Sequence, residues 1–447
     1  MDHNHGGYIC SIVPFYLLEA MSKSSDPKVR ECGLKSLACQ ERVHKARFDS
    51  FQTKLAAHHQ THHDHSKGHG IVPPNLLEAI ASSKSTTQAA KDSAQKTLGI
   101  SKQVHDFRTE GSSSKEEQGP SSLAAAARAK VPPKPTKPSE TGFYRYVYDM
   151  QNKGDDERPS TLRLLPGKLV CSEGDAPTSD KATDEVYSNT LTVLNFYKEF
   201  FQYDSLDGKG MPVVSSVHFD TNMGNAFWWD GKNQMVYGDG DDFLYNFTGT
   251  IDVIGHEMTH AVTQFSSNLS YWQEAGALNE HLSDVWGIMV KQFVEKESAE
   301  EADWLIGEGV LLPGVKGVAL RSMKAPGTAY DDPRFGKDMQ PDNVEGMEAL
   351  RKTHGAWLDE KDSGGVHIFS GIPNRAFVLV SLGFGGNSWE KAGQIWWKVA
   401  RGGAISSECT FIQFADATVD AALALYDEDA AKIVREAWNT VGVVRKI

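Results

Sequence analysis

Apolar runs long enough to cross a lipid bilayer are missing from this sequence, because a spanning helix needs about 20 mostly apolar residues. The first residues, MDHNHGGYIC, also lack the basic segment and the long apolar core of a secretory signal peptide. We therefore expect no membrane span and no export by the classical route. An intracellular protein and a protein secreted by a non-classical route are both compatible with this start.

An excess of basic charge is also missing, since 46 Lys and Arg stand against 59 Asp and Glu, for a net charge of −13. Nucleic-acid binding depends on Lys and Arg that neutralise phosphates, so this balance argues against a nucleic-acid partner. Cysteine is scarce, and the five residues are odd in number and widely scattered, which does not suggest a disulfide framework. We expect unpaired thiols, with Cys10 as a zinc-binding latency switch kept as an alternative.

The motif HEMTH at residues 256–260 is the most informative feature of the 447 residues. On a helix, residues four apart share a face, so His256 and His260 can both offer a ring nitrogen to one tetrahedral zinc ion. A catalytic zinc takes three protein ligands and keeps one open position. The segment NEHLSD at residues 279–284 offers Glu280 as the third ligand.

Glu257 falls beside the two histidines and not on the metal. It is placed to accept a proton from a zinc-activated water and to pass that proton to a departing amine, which is the role of a general base. Asp284 lies one helical turn after Glu280 and can reach the far nitrogen of a ligand histidine, with His256 as the first choice. Asn279 can position a ligand in a similar way. This set of residues predicts a metallopeptidase.

These residues resemble the thermolysin family of zinc endopeptidases, and the resemblance extends from about Phe143 to the end of the sequence. It implies an α+β fold with two lobes, a mixed, β-rich N-terminal lobe and a mainly α-helical C-terminal lobe, with the zinc site in the cleft between them. The blocks NAFW at residues 225–228 and QMVYGDG at 234–240 resemble the family's substrate-binding edge strand and the segment after it. By this resemblance an extended peptide adds to the edge strand, at Asn225, Ala226, Phe227 and Trp228.

The resemblance also implies roles for residues outside the zinc motifs. Tyr271 and His367 correspond to groups that donate to the developing oxyanion, with Asp362 orienting His367. Arg321 corresponds to an arginine that binds a substrate carbonyl near the cleavage point. The pocket for the residue after the scissile bond is apolar in the family, which implies a preference for bulky hydrophobic residues. The matching pocket positions are Phe247, Val253, Ile306 and Leu320.

A calcium site of the family departs from its pattern in this chain. The matching positions are Asp252, Lys291, Asp303, Leu305 and Glu308. Lys291 and Leu305 remove two of the oxygen ligands that calcium needs. We therefore expect no calcium there, and our hypothesis is that the Lys291 ammonium replaces the metal and pairs with the remaining carboxylates.

The N-terminal region, residues 1–109, contains an internal duplication. The segment IVPFYLLEA at residues 12–20 recurs as IVPPNLLEA at residues 71–79. Both copies resemble the short propeptide of the protealysin-like branch of the thermolysin family. The resemblance implies that this region covers the cleft as an intramolecular inhibitor until proteolysis removes it. An unrelated flexible tail is the alternative.

Two further segments precede the catalytic part. Six histidines lie between residues 58 and 69; we expect a polar linker there, with a transition-metal site as the alternative. Residues 110–139 are rich in Ser, Gly, Glu, Ala, Lys and Pro, which predicts a flexible linker in or near which maturation cuts.

The coarse pattern of the catalytic part predicts strands at 143–148 and 213–218, a helix at about 184–203 and a hairpin near Asp230. The pattern is helical from Glu274 onward, and the later candidate helices cover residues 364–381, 388–401, 410–426 and 428–440. We assign residues 140–272 to the N-terminal lobe, which includes the zinc helix, and residues 273–447 to the helical C-terminal lobe.

Three functions are compatible with these observations. The leading one is a zinc endopeptidase that is made as a latent precursor and acts on peptide or protein substrates. A zinc aminopeptidase or another zinc hydrolase could use the same three ligands, although no obvious motif for capturing a free N-terminus is present. A metal-binding or peptide-binding protein without turnover is the third, and an intact Glu257 argues against it. Many members of the family act outside the cell.

Overall fold

The computed structural model describes residues 10–40, 139–153 and 164–444, apart from positions 222, 231, 242, 243, 335 and 402. The second repeat at 71–79, the histidine-rich segment and almost all of the predicted linker lie outside the described residues. The described residues belong to one compact unit, in which the N-terminal segment joins the catalytic part. The predicted boundaries at residues 109, 139 and 272 stay predictions.

The N-terminal lobe is built on a six-stranded sheet with the order β1-β5-β6-β4-β2-β3. Strands β2, β4 and β6 run parallel to one another, whereas β5 pairs antiparallel with β6 and forms the predicted hairpin. Strand β1 comes from the N-terminal segment and pairs antiparallel with β5. The strands are β1 (Cys10–Ser11), β2 (Arg145–Asp149), β3 (Lys168–Ser172), β4 (Val213–Val217), β5 (Ala226–Trp229) and β6 (Gln234–Tyr237).

Two helices of the N-terminal segment accompany β1. Helix α1 spans Phe15–Ser22 and buries Tyr16, Leu17, Leu18 and Met21. Residues 27–40 form a second helix, α2. Apolar side chains of this segment, Ile12 among them, belong to the same buried cluster as those of both catalytic lobes. The segment is therefore packed into the fold and not appended to it.

Helices α3 (Lys181–Phe201), α4 (Ile251–Phe265) and α5 (Gln273–Glu295) pack against one another. The predicted helix near 184–203 is confirmed by α3, and Asp180 caps it by accepting a hydrogen bond from the Thr183 amide. Helices α4 and α5 approach closely at two glycines. A Cβ at Gly287 would lie 2.6 Å from the Asp252 carbonyl oxygen, and one at Gly255 would lie 3.0 Å from Gly287 Cα. Side chains at this crossing would push the helices apart.

The C-terminal lobe is mainly helical, as the sequence predicts. The helices after α5 are α6 (Val344–Lys361), α7 (Val366–Phe369), α8 (Gly371–Phe384), α9 (Lys391–Arg401), α10 (Phe411–Leu425) and α11 (Glu428–Thr440). The predicted helix at 364–381 is divided into α7 and α8, and the later three predictions agree with α9, α10 and α11. None of the helices in the described part of the chain is long and apolar enough to cross a membrane.

The expectation of a helical pattern from Glu274 onward is wrong between α5 and α6. This stretch forms turns and the short strands β7 (Leu305–Ile306), β8 (Arg321–Ser322), β9 (Asp331–Asp332) and β10 (Gly336–Lys337). Its backbone takes positive φ at several glycines, such as 71° at Gly307 and 94° at Gly314, which a helix cannot accommodate. Helix α6 lies in the stretch expected to be helical but was not among the candidate helices, because it carries two glycines and few apolar residues. The side chain of Asn343 caps its start by accepting from the Gly346 amide.

Candidate active site

Three buried side chains converge where α4 passes α5. The Nε2 atoms of His256 and His260 lie 3.0 Å apart, and they lie 3.5 and 3.6 Å from carboxylate oxygens of Glu280. A tetrahedral zinc ion with ligand distances of about 2.0–2.2 Å holds its ligands roughly 3.3–3.6 Å apart. The two histidine–carboxylate separations fall within this range, and the 3.0 Å between the two imidazole nitrogens is shorter than it, so the three side chains converge on one zinc position. Over the described residues, this is the one set of His, Cys, Asp or Glu side chains with such a geometry.

The far nitrogen of each histidine is held by a polar side chain of α5. His256 Nδ1 lies 2.9 Å from Asp284 Oδ1, and His260 Nδ1 lies 2.9 Å from both Asn279 Oδ1 and Ser283 Oγ. These contacts leave each Nε2 atom facing the metal position, because an imidazole nitrogen that donates to an acceptor cannot also bind a metal. The structure thus brings the predicted Asp284 and Asn279 together with the histidines.

Glu257 lies in α4 and is fully buried. Its Oε2 accepts a hydrogen bond of 2.8 Å from the Trp228 amide of the edge strand, and its Oε1 accepts one of 3.2 Å from the Ile12 amide. Burial raises the pKa of Glu257 to about 7, with Glu280 adding to the effect and His256 opposing it. A carboxyl group whose pKa is near neutrality is suited to take up and release a proton.

Tyr271, His367 and Asp362 form a chain that ends at Glu280. The Tyr271 hydroxyl donates to Glu280 Oε1 and lies 3.0 Å from His367 Nε2. His367 Nδ1 lies 2.6 Å from Asp362 Oδ1. Burial opposes the charged imidazolium, but the neighbouring carboxylates Glu280 and Asp362 outweigh it and raise the pKa of His367 to about 9. The Tyr271 hydroxyl and the His367 ring therefore place two polar hydrogens beside the metal position.

Arg321 is fully buried in β8 and holds two partners at once. Its Nε and Nη2 donate to the two carboxylate oxygens of Asp284 at 2.9 and 2.7 Å. Its Nη1 donates to the carbonyl oxygen of Ile12 at 2.7 Å. The guanidinium can bind a peptide carbonyl in the cleft while its other nitrogens remain fixed.

The predicted edge strand β5 lies at the cleft and contacts the N-terminal segment. Asn225 Oδ1 accepts a 3.0 Å hydrogen bond from the Val13 amide, and Asn225 Nδ2 donates to the Val13 carbonyl oxygen over 3.4 Å. The carbonyl oxygen of Ala226 accepts from the Ile12 amide at 3.4 Å. The side chain of Phe227 packs in a separate apolar cluster, so this residue can serve a bound peptide through its backbone.

The four residues assigned to the apolar subsite are buried in the main apolar cluster, which also contains Ile12 and Val13. They are Phe247, Val253, Ile306 and Leu320. Val253 comes from α4, Ile306 from β7, and Leu320 immediately precedes β8. Parts of both lobes therefore contribute to this apolar region.

Lys291 pairs with carboxylates at positions that match the family's calcium site, where we expect no calcium. Its ammonium lies 3.1 Å from Asp303 Oδ2 and 2.7 Å from Glu308 Oε2. Asp252 instead accepts hydrogen bonds from the Gly307 and Val253 amides. Leu305 contributes no side-chain oxygen. The hydrogen bond with Glu308 and the nearby carboxylates outweigh burial and raise the pKa of Lys291.

Some residues that shape the site were not predicted. Ser283 lies one turn after Asn279 on the same helix, so its position in NEHLSD was a usable signal. Asn374 donates to Asp284 Oδ2 at 2.8 Å, but it lies 90 positions away in the sequence, and nothing local points to it. Gly255 and Gly287 were likewise missed, because a single sequence does not indicate which helical glycines meet.

A cleft in which two imidazoles and a carboxylate converge beside a buried glutamate is that of a zinc metallopeptidase. Residues 134–264 match the family described as "Thermolysin metallopeptidase, catalytic domain", and residues 267–443 match "Thermolysin metallopeptidase, alpha-helical domain". The chain belongs to the thermolysin family, in its protealysin-like branch, and is a zinc metalloendopeptidase.

Individual relatives agree with this assignment. The chain is 38% identical to Protease PrtS of Photorhabdus sp. (strain Az29) over 375 residues, which cover 84% of this chain and 92% of the relative. It is 44% identical over 280 residues to an extracellular metalloprotease of Pectobacterium carotovorum subsp. carotovorum, covering 62% of this chain and 78% of the relative. The solved precursor of protealysin, a metalloproteinase from Serratia proteamaculans, is similar with a TM-score of 0.62 and 39% identity, covering 84% of this chain and 99% of that one.

Proposed function

We propose that this zinc endopeptidase cleaves internal peptide bonds with Glu257 as general base, in a cleft that its own N-terminal segment blocks in the precursor. The observation that carries the proposal is the 3.2 Å hydrogen bond from the Ile12 amide to Glu257. A carboxylate that already binds a peptide N–H in the cleft can take a proton from water and pass it to a departing amine.

The metal ligands are His256, His260 and Glu280. Zinc, when bound by these three side chains, supplies a Lewis acid that polarises a carbonyl and makes water a stronger nucleophile. Asp284 and Asn279 keep the imidazoles in the orientation that ligation needs. The 2.9 Å contact of each with its histidine supports this role.

The oxyanion that develops during hydrolysis is stabilised by Tyr271 and His367, with Asp362 orienting His367. The 3.0 Å contact between the Tyr271 hydroxyl and His367 Nε2 supports a joint action of the two donors. Arg321 binds the carbonyl of the residue after the cleavage point. Its hydrogen bond to the Ile12 carbonyl supports that role.

Substrates bind in an extended conformation along β5, and the residue after the scissile bond is bulky and hydrophobic. Asn225 and the backbone from Ala226 to Trp228 hold the peptide. The hydrogen bonds between Asn225 and Val13 support this mode. The apolar subsite is formed by Phe247, Val253, Ile306 and Leu320, where burial of apolar surface favours a large aliphatic or aromatic side chain.

Latency follows from the same contacts, because Ile12 and Val13 use the groups that a substrate would need. Ile12 is fully buried, as are Leu17 and Leu18 of α1, so the segment is anchored well beyond the catalytic residues. The Glu19 side chain also accepts a hydrogen bond from Trp357 of α6. A substrate must displace this whole segment, and proteolysis after it is the expected route to activity.

Lys291 takes the role of calcium near the cleft, and the enzyme needs zinc alone. The ion pairs of Lys291 with Asp303 and Glu308 support this part of the proposal. A fixed ammonium neutralises these carboxylates without a metal, so stability does not depend on the calcium concentration.

The test compares peptides with blocked ends and an internal quenched fluorophore, one with Leu and one with Asp after the scheduled cleavage point. The processed wild-type enzyme with zinc is expected to cut the Leu peptide at least 100-fold faster than the Asp peptide. Glu257→Gln and a chelated sample should lose cleavage. If the zinc-loaded enzyme left blocked peptides intact but cut peptides with a free N-terminus, the exopeptidase alternative would replace the proposal.

A further inference from the structure

The Ile12 amide nitrogen occupies the position that a leaving amine needs. It lies 3.2 Å from Glu257 Oε1 and 3.4 Å from the Ala226 carbonyl oxygen. The group that protonates a leaving nitrogen must be within hydrogen-bond reach of it. The other amide bound to Glu257 belongs to Trp228, which is part of the edge strand and not of the occupying segment.

The chain is held on both sides of this nitrogen. After it, Arg321 binds the Ile12 carbonyl oxygen at 2.7 Å, and Asn225 binds the Val13 amide at 3.0 Å. Before it, β1 pairs antiparallel with β5, with Ser11 opposite Phe227. A peptide bond fixed in this way between two bound flanks has the positional restraint that favours reaction.

We propose that the N-terminal segment binds as a substrate, with the Ser11–Ile12 bond in the cleavage position, and that the protein hydrolyses this bond in itself. The inference rests on the proposed role of Glu257. The oxygen of water adds to the Ser11 carbonyl carbon, and Glu257 transfers both protons of that water, one after the other, to the Ile12 nitrogen as the C–N bond breaks. The products are a carboxylate at Ser11 and a protonated amino group at Ile12.

This cut does not activate the enzyme, because the anchors lie after it. Val13 keeps its two hydrogen bonds with Asn225, and the apolar side chains of α1 remain buried. Further along, Ser36 of α2 accepts a hydrogen bond from the Gly224 amide at 3.2 Å. The new amino group at Ile12 stays beside Glu257 as a bound product, so the clipped protein remains latent until a second cut follows residue 40.

The experiment uses the full-length chain purified with a chelator and then supplied with zinc. Intact mass and N-terminal sequencing should reveal loss of residues 1–11 and a new terminus at Ile12. The rate should not change over a tenfold range of protein concentration, since the bond lies in its own cleft. Activity on the blocked Leu peptide should stay absent while the cut proceeds.

Three variants test whether the Ser11–Ile12 bond is the one that lies in the cleavage position. Glu257→Gln should slow the cut by about 100-fold or more, the usual contribution of general acid–base catalysis. Ile12→Pro removes the amide hydrogen that Glu257 and Ala226 accept, and it should also block the cut. The matched control, Ile12→Leu, keeps this hydrogen and an apolar side chain and should keep the cut.

Amide hydrogen exchange of the zinc-free full-length protein tests the binding of the segment without requiring catalysis. The Ile12 and Val13 amides should exchange at least tenfold more slowly than those of a synthetic peptide of residues 8–16. Rapid exchange at both amides would contradict the proposed position of the segment in the cleft. A cut at another bond of this segment, or a cleavage rate proportional to protein concentration, would also contradict it. If processed enzyme cuts the blocked peptide while the full-length chain retains residues 1–11, the inference is wrong and the proposed function stands. If neither is cut, the proposed function fails as well.

Discussion

Arg321 and Asp284 form a buried, two-point ion pair in which Nε and Nη2 of the arginine donate to both carboxylate oxygens, at 2.9 and 2.7 Å. The same carboxylate accepts a hydrogen bond from His256, and Asn374 donates to it at 2.8 Å. A buried ion pair is tolerated when further hydrogen bonds satisfy its charges. One carboxylate therefore links a metal ligand to the guanidinium that binds a peptide carbonyl.

The contact with His256 predicts a specific effect of Asp284→Asn. Loss of the carboxylate that orients a ligand histidine typically weakens metal binding by about 10–100-fold. We expect a decrease of that size in zinc affinity, measured by competition with a chromophoric chelator. The matched control is Asp362→Asn, because its carboxylate contacts His367, which is not a metal ligand. Asp362→Asn should lower kcat and leave the zinc affinity within about twofold of the wild-type value. An equal decrease in zinc affinity in both variants would contradict these separate roles.

The ion pairs of Lys291 predict that the melting temperature of the enzyme does not depend on the calcium concentration. Removing the ammonium and adding carboxylates, as in Lys291→Glu with Leu305→Glu, recreates a set of hard oxygen ligands around the position. Calcium at millimolar concentration should then raise the melting temperature of the double variant by several degrees, measured by calorimetry. Lys296→Glu, which makes the same charge change at an exposed neighbour, should give no calcium response. A strong calcium effect on the wild type would refute the replacement of the metal by lysine.

The zinc ligands could be predicted from the sequence because their geometry is local. His256 and His260 share a face of one helix, and Glu280 and Asp284 share a face of the next. What brings the two helices together is not local: Gly255 and Gly287 let the backbones approach within the length of a side chain. Single-sequence periodicity contains no information on such a crossing.

Contacts between distant segments were predicted only in outline. The resemblance implied that the N-terminal region covers the cleft, but not that Ile12 contacts Glu257 across 245 positions. Helix α6 was not among the candidate helices, because its mostly polar surface produces a weak apolar pattern. The turns between α5 and α6 were missed because a glycine in a sequence does not reveal its φ. Such features depend on tertiary packing, which outweighs local propensity.

His218 predicts a pH dependence of stability. Its Nδ1 lies 2.7 Å from Asp239 and its Nε2 lies 3.2 Å from Asp180, which caps α3. The hydrogen bond with Asp239, together with the charge of both carboxylates, raises the pKa of His218 to about 9 despite partial burial. Because the folded pKa lies above the unfolded value of about 6.5, the stabilisation is complete below that pH and is lost as pH rises through about 9.

We expect His218→Gln to destabilise the chelated protein by about 1 kcal/mol at pH 6, a modest value because the partners are partly exposed. At pH 10 the variant and the wild type should unfold at the same denaturant concentration. Exposed His354→Gln serves as the control at both pH values. A destabilisation by His218→Gln that is independent of pH would show that the ion pairs do not cause it.

The duplicated segment predicts that a synthetic peptide of residues 69–79 inhibits the processed enzyme. Ile71 and Val72 repeat the residues of the first copy whose backbones bind Glu257, Arg321 and Asn225, and the two leucines that follow are also repeated. Asn75 replaces Tyr16, a buried residue, and the loss of that apolar burial is worth about 1.5–3 kcal/mol. We therefore expect the second peptide to bind roughly 10–100-fold more weakly than the peptide of residues 10–20.

Inhibition constants from a quenched-peptide assay measure this difference, and two peptide variants isolate its cause. Replacing Asn75 by Tyr in the second peptide should recover most of the affinity, whereas replacing Ile71 by Asp should abolish inhibition, because a carboxylate cannot be buried in the apolar subsite without large cost. An Ile71→Asp peptide that inhibits as well as its parent would mean that the second copy binds away from the catalytic cleft. In that case the duplication would not supply a second inhibitor of the same kind.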